Sequence, residues 1–381
     1  MSKQMYDYAI IGAGAAGLHL CMAVLEETWF SDKNILLLEK SDKSVNDKTW
    51  SFWEKEAGSW DSILKKSWEK GSFIGKKEEI YLELSPYRYK TLHAIDFYNY
   101  CKEKINHSNN IHWVKDEVTQ IEGDTFLQMH GKTEVYTAKQ VFDSRMETTE
   151  TDTQKFPYLA QHFKGWEIQT EQPVFDPSSF IMMDYRIRKE NTTSFTYVLP
   201  YSAHHALVEF TLFTPDIDEK EDYDLPLKHY ISECLKIENY NLIKEEFGII
   251  PMTSYPYHKA SQGGIFKIGT AGSWVKPSSG YAFKNIEKCA RQLVKNIINQ
   301  TDLSHQLLHP KFRFYDAILL TVLEQQNHLG PSIFTEMFRN NSVQQIFKFL
   351  DDETNLLEDL SIINSFTYAP FLKGLFRYLW R

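Results

Sequence analysis

Tyr8-Ala-Ile-Ile11-Gly12-Ala-Gly14-Ala-Ala-Gly17 is the stretch that decides the fold. Tyr8 to Ile11 is a short apolar run, the size of a buried parallel strand. It enters a G-x-G-x-x-G turn, and Leu18 to Glu27 then reads as a helix. A second apolar strand, Ile35 to Leu38, ends in Glu39. Strand, glycine turn, helix, strand and acid follow in the order of a dinucleotide-binding unit. Gly12 allows the tight turn, Gly14 admits a pyrophosphate to the backbone, and Gly17 lets the helix lie close on the strands. Phosphates sit over the N-terminus of that helix, beside Ala15 and Ala16, where free N–H groups and the dipole favour anions. Glu39 stands where a carboxylate accepts from ribose hydroxyls, with Lys40 beside it. Flavoproteins put the ADP half on the first strand and split the rest of the domain along the chain, so the expected cofactor is FAD rather than NAD.

The composition is that of an ordinary globular chain. The 381 residues are 42% hydrophobic and 24% charged, and about 150 residues per domain suggests two to three domains. Forty-two Lys and Arg against 51 Asp and Glu leave a net charge of −9. That balance offers no basic stripe, so no nucleic-acid partner is expected. Aromatic residues reach 14%, which suits large apolar ligands, a membrane-facing surface or a rich core. The four cysteines, Cys21, Cys101, Cys234 and Cys289, stand far apart, which fits a reducing compartment and excludes a disulfide scaffold. Neither a signal peptide nor a run of ~18 apolar residues is visible, so the expected location is the cytoplasm, with attachment to a membrane surface left open.

Further along, Val141-Phe-Asp143 reads as a strand returning to the dinucleotide sheet, and Asp143 joins the candidate cofactor contacts. The polar segment Thr148 to Thr153 suggests a boundary. Alternating strands between Phe163 and Phe213 suggest an antiparallel substrate sheet. Leu225 to Ile243 reads as helical. A second glycine-rich turn, Gly269-Thr-Ala-Gly272-Ser-Trp-Val-Lys-Pro277-Ser-Ser-Gly280-Tyr281, leads into a helix from Ala282 to Asn299. A flavin domain uses such a turn to hold the ribityl chain and the ring system, which makes Gly269, Gly272, Pro277, Gly280 and Tyr281 candidates.

The expected fold is α/β. A Rossmann-like FAD-binding domain of the glutathione-reductase type takes residues 1–150 and 245–300. An inserted antiparallel β-sheet substrate domain takes 151–244, and a helical C-terminal region takes 301–381. In the tail, Lys373, Arg377 and Arg381 share one helical stripe, with Leu372, Leu375, Phe376 and Leu379 around much of the rest. That is the pattern of an interfacial helix, and equally of a helix packed on the core with its charges solvated.

These motifs together resemble the lycopene cyclases, the flavin-dependent lycopene β-cyclases of bacteria and plants. The resemblance rests on Gly12–Gly17, Lys48-Thr-Trp50-Ser-Phe52, Pro173-Val-Phe-Asp176-Pro177, Met183-Asp184-Tyr-Arg186 and Tyr197-Val-Leu-Pro200-Tyr-Ser202. It continues through Leu207-Val-Glu209-Phe-Thr211, Ile250-Pro251-Met252-Thr253, Gly269-Thr-Ala-Gly272 and Pro277-Ser-Ser-Gly280-Tyr281-Ala-Phe283. It implies an isomerase that turns the linear ψ-ends of lycopene into β-rings, giving γ-carotene and then β-carotene, without net redox change. It implies FAD active in its reduced form, NAD(P)H as reductant, lycopene and related linear carotenoids as substrates, and peripheral attachment to the inner face of a membrane. Such chemistry needs an acid, a base, a dry tunnel and electron-rich surfaces for cations.

The resemblance carries the key carboxylate to Glu209. On a strand, Leu207, Glu209 and Thr211 share one face and Val208, Phe210 and Leu212 the other. The family's second carboxylate in this segment is Phe210 here, so the second proton-transfer group is the flavin, Asp184 or another residue. Asp184 reads equally as a partner of Arg186. Trp50, Phe52 and Trp53 are candidates for the tunnel wall. His204 and His205 have no third ligand at metal spacing, so no metal is expected. Two other readings stay open: a redox flavoenzyme (monooxygenase or prenyl-chain reductase) on the same fold, and a non-catalytic carotenoid- or flavin-binding peripheral membrane protein.

Overall fold

The structure is a computed structural model and describes residues 4–146 and 152–381. Strand β1 (Met5–Ile11) and strand β2 (Ile35–Glu39) flank helix α1 (Ala15–Leu25). β1 pairs in parallel with β2 on one side and with Val135–Asp143 on the other. Ile111–Lys115 extends the sheet beyond β2, and Ile265–Lys267 adds to Val135–Asp143. β2 is buried along its whole length, as expected of a parallel strand covered on both faces. One cover is helical, with Leu18, Cys21, Phe97, Cys101, Ala290 and Leu293 in a single core. Leu127, Met129 and Tyr136 from an antiparallel meander pack against β1 and β2 residues in another.

The glycine turn explains the tight seat of α1. Gly12 has φ +99°, and its N–H donates to the Leu38 carbonyl at 2.7 Å. A Cβ on Gly17 would overlap the Gly12 carbonyl oxygen, whereas a Cβ on Gly14 would meet nothing within 4 Å.

A second, larger sheet has the order Asn241–Thr253, Tyr158–Gln169, His205–Thr214, Thr193–Ser202, Ser179–Asp184, Lys70–Ile74, Glu79–Glu83. The C-terminal helices Pro310–Gln325, Gly330–Asn340 and Val343–Leu350 cover one face, through Leu320, Phe334, Phe338 and Phe347 against Leu199, Leu207 and Phe213. The other face packs on Tyr223, Leu227, Tyr230 and Ile231. A small sheet of Thr49–Lys55, Tyr87–His93 and Lys66–Trp68 lies in the chain between β2 and the meander.

The expected boundaries move in two places. Residues 70–83, counted with the dinucleotide domain, pair instead at the edge of the large sheet, Lys70–Ile74 running parallel to Ser179–Asp184. Such pairing joins distant segments and leaves no trace in local periodicity. The helix read from Leu225 to Ile243 stops early. It comprises Asp224–His229 and one π-helical turn at Tyr230–Cys234, after which Lys236 takes φ +57°. Asn241–Thr253 is then one strand beside Tyr158–Gln169, running straight through the expected boundary at 244/245. The boundary placed at Thr148 to Thr153 falls largely on residues outside those described.

The two glycines of the turn separate sterically. Gly17→Ala is expected to cost about 1–3 kcal/mol in urea unfolding, because backbone must move. Gly14→Ala is expected to stay within about 0.5 kcal/mol of the parent.

Candidate active site

A cavity of about 880 Å³ runs from the glycine turns to the C-terminal helices. Gly14, Ala15, Ala16, Gly269, Thr270 and Gly280 line one end, and Phe366, Phe371, Leu372 and Leu375 line the other. The first end suits a dinucleotide. The N-terminus of α1 has no side-chain cap, and the space beside Gly14 is open. Free N–H groups and a bare backbone are what a pyrophosphate requires. The Glu39 carboxylate closes the turn by accepting from the Ala13 N–H at 2.7 Å and from Ser41 at 2.8 and 3.0 Å. Lys43 and Asp47 also line this end, with Tyr98 donating to Asp47 at 2.9 Å. These three carried no motif in the sequence.

Glu209, on His205–Thr214, lines the same cavity. Its ladder neighbours are Tyr197 on one side and Gly165 on the other, and Gly165 pairs in turn with Glu246. Directly opposed residues share a face, so Tyr197, Glu209, Gly165 and Glu246 form one row across the sheet. Leu207 and Thr211 line the cavity with Glu209, while Val208, Phe210 and Leu212 belong to the core on the far side. A Cβ on Gly165 would come within 3.0 Å of Glu246 Cγ and 3.4 Å of Glu246 Oε1. Glu246 therefore leans over the glycine.

The electrostatics follow from this placement. Burial, with the Glu246 charge second, pushes the Glu209 carboxyl up to about 8, against a hydrogen bond from Thr211 at 3.0 Å. Burial raises Glu246 as well, opposed by Thr49, which donates at 2.9 Å, and by Lys244 at 3.7 Å. Two carboxyls confined together do not both ionise readily. Beside them, the Tyr89 hydroxyl bonds to that of Tyr197 and lies 3.2 Å from that of Tyr281. Burial holds all three phenols well above their usual range, so they stay neutral.

Several expected contacts lie elsewhere. Asp184 is fully buried and salt-bridged to Arg186, with Tyr230 donating to it at 2.7 Å. Asp143 is held by Arg145 at 2.9 Å and Lys267 at 3.1 Å, which pulls it below the usual carboxylate range. Both carboxylates are structural ties. Gly272 packs where a Cβ would sit 2.5 Å from the Lys267 carbonyl oxygen, and Lys40 is exposed. Neither these two nor Pro277 lines the cavity, whereas Tyr281 and Trp50 do. Phe52 stacks on Phe283 and Trp53 on Phe347, with Trp53 Nε1 donating to Asp351 at 2.9 Å; both belong to the cavity's outer packing. Among the described residues no cluster suits a metal ion.

The family model described as lycopene cyclase protein matches residues 7–374. The chain belongs to the lycopene cyclase family. No curated protein matches it significantly. Among solved structures, this lycopene cyclase family member is similar to a geranylgeranyl bacteriochlorophyll reductase-like protein from Thermoplasma acidophilum. The two are 13% identical with a TM-score of 0.61, covering 99% of this chain and 100% of that one. A tryptophan halogenase from Shewanella frigidimarina is 11% identical with a TM-score of 0.59, over 100% of this chain and 95% of that one. A flavoprotein/dehydrogenase from Cytophaga hutchinsonii is 11% identical with a TM-score of 0.58, over 95% and 100%. At these identities the likeness is one of fold, the Rossmann-like FAD-binding fold.

The raised carboxyl has a consequence for stability. A group whose pKa is higher folded than unfolded supports the fold while protonated and loses that support as it ionises. Glu209 goes from an ordinary 4.5 to about 8. Glu209→Gln is therefore expected to unfold at higher urea than the parent above pH ~8, with the gap closing below pH ~5.

Proposed function

We propose that the chain cyclises the linear ψ-ends of lycopene to β-rings by acid–base chemistry, through γ-carotene to β-carotene. The observation that carries this reading is a buried carboxyl, Glu209, pushed up to about 8 by its burial, in the wall of a largely apolar cavity that also reaches the dinucleotide turn. Glu209 gives its proton to the terminal double bond. The tertiary cation is attacked by a double bond of the same chain, and the ring cation then loses a proton to a base. One proton enters and one leaves, so no electrons are consumed. The aromatic side chains of Trp50, Tyr89, Tyr197 and Tyr281 line the cavity, and cation–π attraction to a ring is worth about 2 kcal/mol when desolvated.

Gly14, Ala15, Ala16, Gly269, Thr270 and Gly280 would hold FAD, with Glu39 at the ribose. Reduced FAD, maintained by NAD(P)H, would supply an electron-rich surface beside the cation. Support for a flavin comes from the fit of this end of the cavity and from the shared fold.

A bilayer-soluble substrate calls for membrane contact, and the tail is built for it. Leu372, Phe376, Leu379 and Trp380 are exposed beside exposed Lys373 and Arg377, while Phe371, Leu372 and Leu375 line the cavity. Arg381 is paired with Glu324, and Gly374 seats the helix on Val322, so the helix both packs on the core and presents an apolar edge. No helix among the described residues is long and apolar enough to cross a membrane. We place the protein on the inner face of the membrane, held peripherally.

The test is anaerobic incubation with reduced FAD and lycopene liposomes in D2O. The expected product is β-carotene with one deuterium per new ring and no net NAD(P)H oxidation. A changed hydrogen or oxygen count would establish the redox reading, and unchanged lycopene the carrier reading. Glu209→Gln is expected to slow cyclisation by about 10²–10⁴-fold. Replacing Phe376 and Trp380 with Ser is expected to abolish flotation with anionic liposomes while leaving the unfolding midpoint unchanged.

A further inference from the structure

We propose that Glu246 is the base that removes the ring proton, and that it shares one exchangeable proton with Glu209 across Gly165. The inference rests on the cyclase reading. It starts from a deficit: on His205–Thr214 the residue after Glu209 is Phe210, which is buried in the opposite core. The segment therefore offers the cavity a single carboxyl, and cyclisation needs a second group to take the proton back.

The sheet supplies one from a segment far away in sequence. Glu209 and Glu246 both pair with Gly165 and both line the cavity. Adjacent strands are about 4.8 Å apart, so two strands flanking a third are about 10 Å apart, a gap that two glutamyl side chains facing each other can span. Only a glycine between them leaves that space free, and Glu246 Oε1 already lies over it.

The surroundings give the two carboxyls different roles. Thr49 donates to Glu246 Oε2, and Lys244 lies 3.7 Å from the same oxygen. Glu209 accepts from Thr211. The other titratable groups near the pair are Glu167 beside Glu246, and Tyr197, Tyr201 and Tyr281. With Lys244 at its side, Glu246 ionises first, and its charge holds the proton on Glu209. Glu209 then protonates the terminal double bond and becomes a carboxylate. Glu246 accepts the proton leaving the ring carbon and becomes the acid. That proton exchanges with solvent as it returns over Gly165 to Glu209, so each new ring takes its proton from water and the site is restored with no other reactant.

The experiment compares the parent, Glu246→Gln, Glu246→Asp and Thr49→Val in lycopene liposomes with reduced FAD, from pH 5 to 9. The parent's own conversion tests the cyclase reading; the variants test this inference. Glu246→Gln is expected to lose about 10²–10⁴-fold in rate. In its residual activity the alkaline limb is expected to move down by about 1 pH unit, because Glu209 no longer faces a negative charge. Glu246→Asp is expected to recover part of the rate. Thr49→Val, which removes only a donor to Glu246, is expected to move the acidic limb up, and it tests the inference even if Glu246→Gln fails to fold. A Glu246→Gln variant with the parent's rate, or one whose limb stays in place while Thr49→Val also leaves the profile unchanged, would overturn the proposal.

Discussion

A carboxyl group set into an apolar wall is the constraint around which this molecule is organised. Taking a carboxylate out of water is costly, and the group answers by keeping its proton. Glu209 meets that condition on a strand whose neighbours are all paired, so its backbone is satisfied and only the side chain faces the cavity. Glutamine would fit the same place without the cost of ionising. On the cyclase reading, a carboxyl that lowers stability at neutral pH is a place where stability is exchanged for chemistry.

On the cyclase reading, the rest of the architecture delivers an apolar chain to that carboxyl. The parallel sheet offers the bare N-terminus of α1 at one end of the cavity. The large sheet provides the wall with Glu209 and Glu246, and the small sheet contributes Trp50 and Tyr89. Helices from the C-terminal region close the far end. Parts separated by hundreds of residues thus meet in one space, and a fold shared with a reductase-like protein and a halogenase does not by itself fix the reaction. What separates an acid–base site from a redox one is the chemistry of the wall.

Legibility in the sequence followed the range of the interaction. The βαβ unit could be read because strand, turn, helix and strand are local and each glycine has a steric reason. The face of Glu209 could be read because alternation along one strand suffices. Glu246 could not, because Lys244-Glu245-Glu246 looks like a solvated run until Gly165 is known to lie beside it. Residues 70–83 were misplaced for the same reason: their partner strand comes a hundred residues later. Asp143 and Asp184 are a different case, and for Asp184 the pairing with Arg186 is one of the two readings the sequence offers. Each sits at a strand end two residues before an arginine, and each turns to that arginine. The Asp-x-Arg spacing was visible, and it signalled a local ion pair rather than a ligand site.

The size of the cavity bears on how the substrate is held. A volume near 880 Å³ is what encloses one drug-sized ligand. A dinucleotide together with a forty-carbon polyene exceeds it. On the cyclase reading, one end of the polyene lies inside at a time, and the remainder passes Phe371, Leu372 and Leu375 toward the exposed apolar edge of the tail. On that reading a chain held this way need not cross water, because Leu372 both lines the exit and stands on the exposed apolar edge. Cyclising both ends then requires the polyene to leave and re-enter reversed. The bilayer allows that exchange at little cost, since the apolar surface uncovered by the protein is covered again by acyl chains.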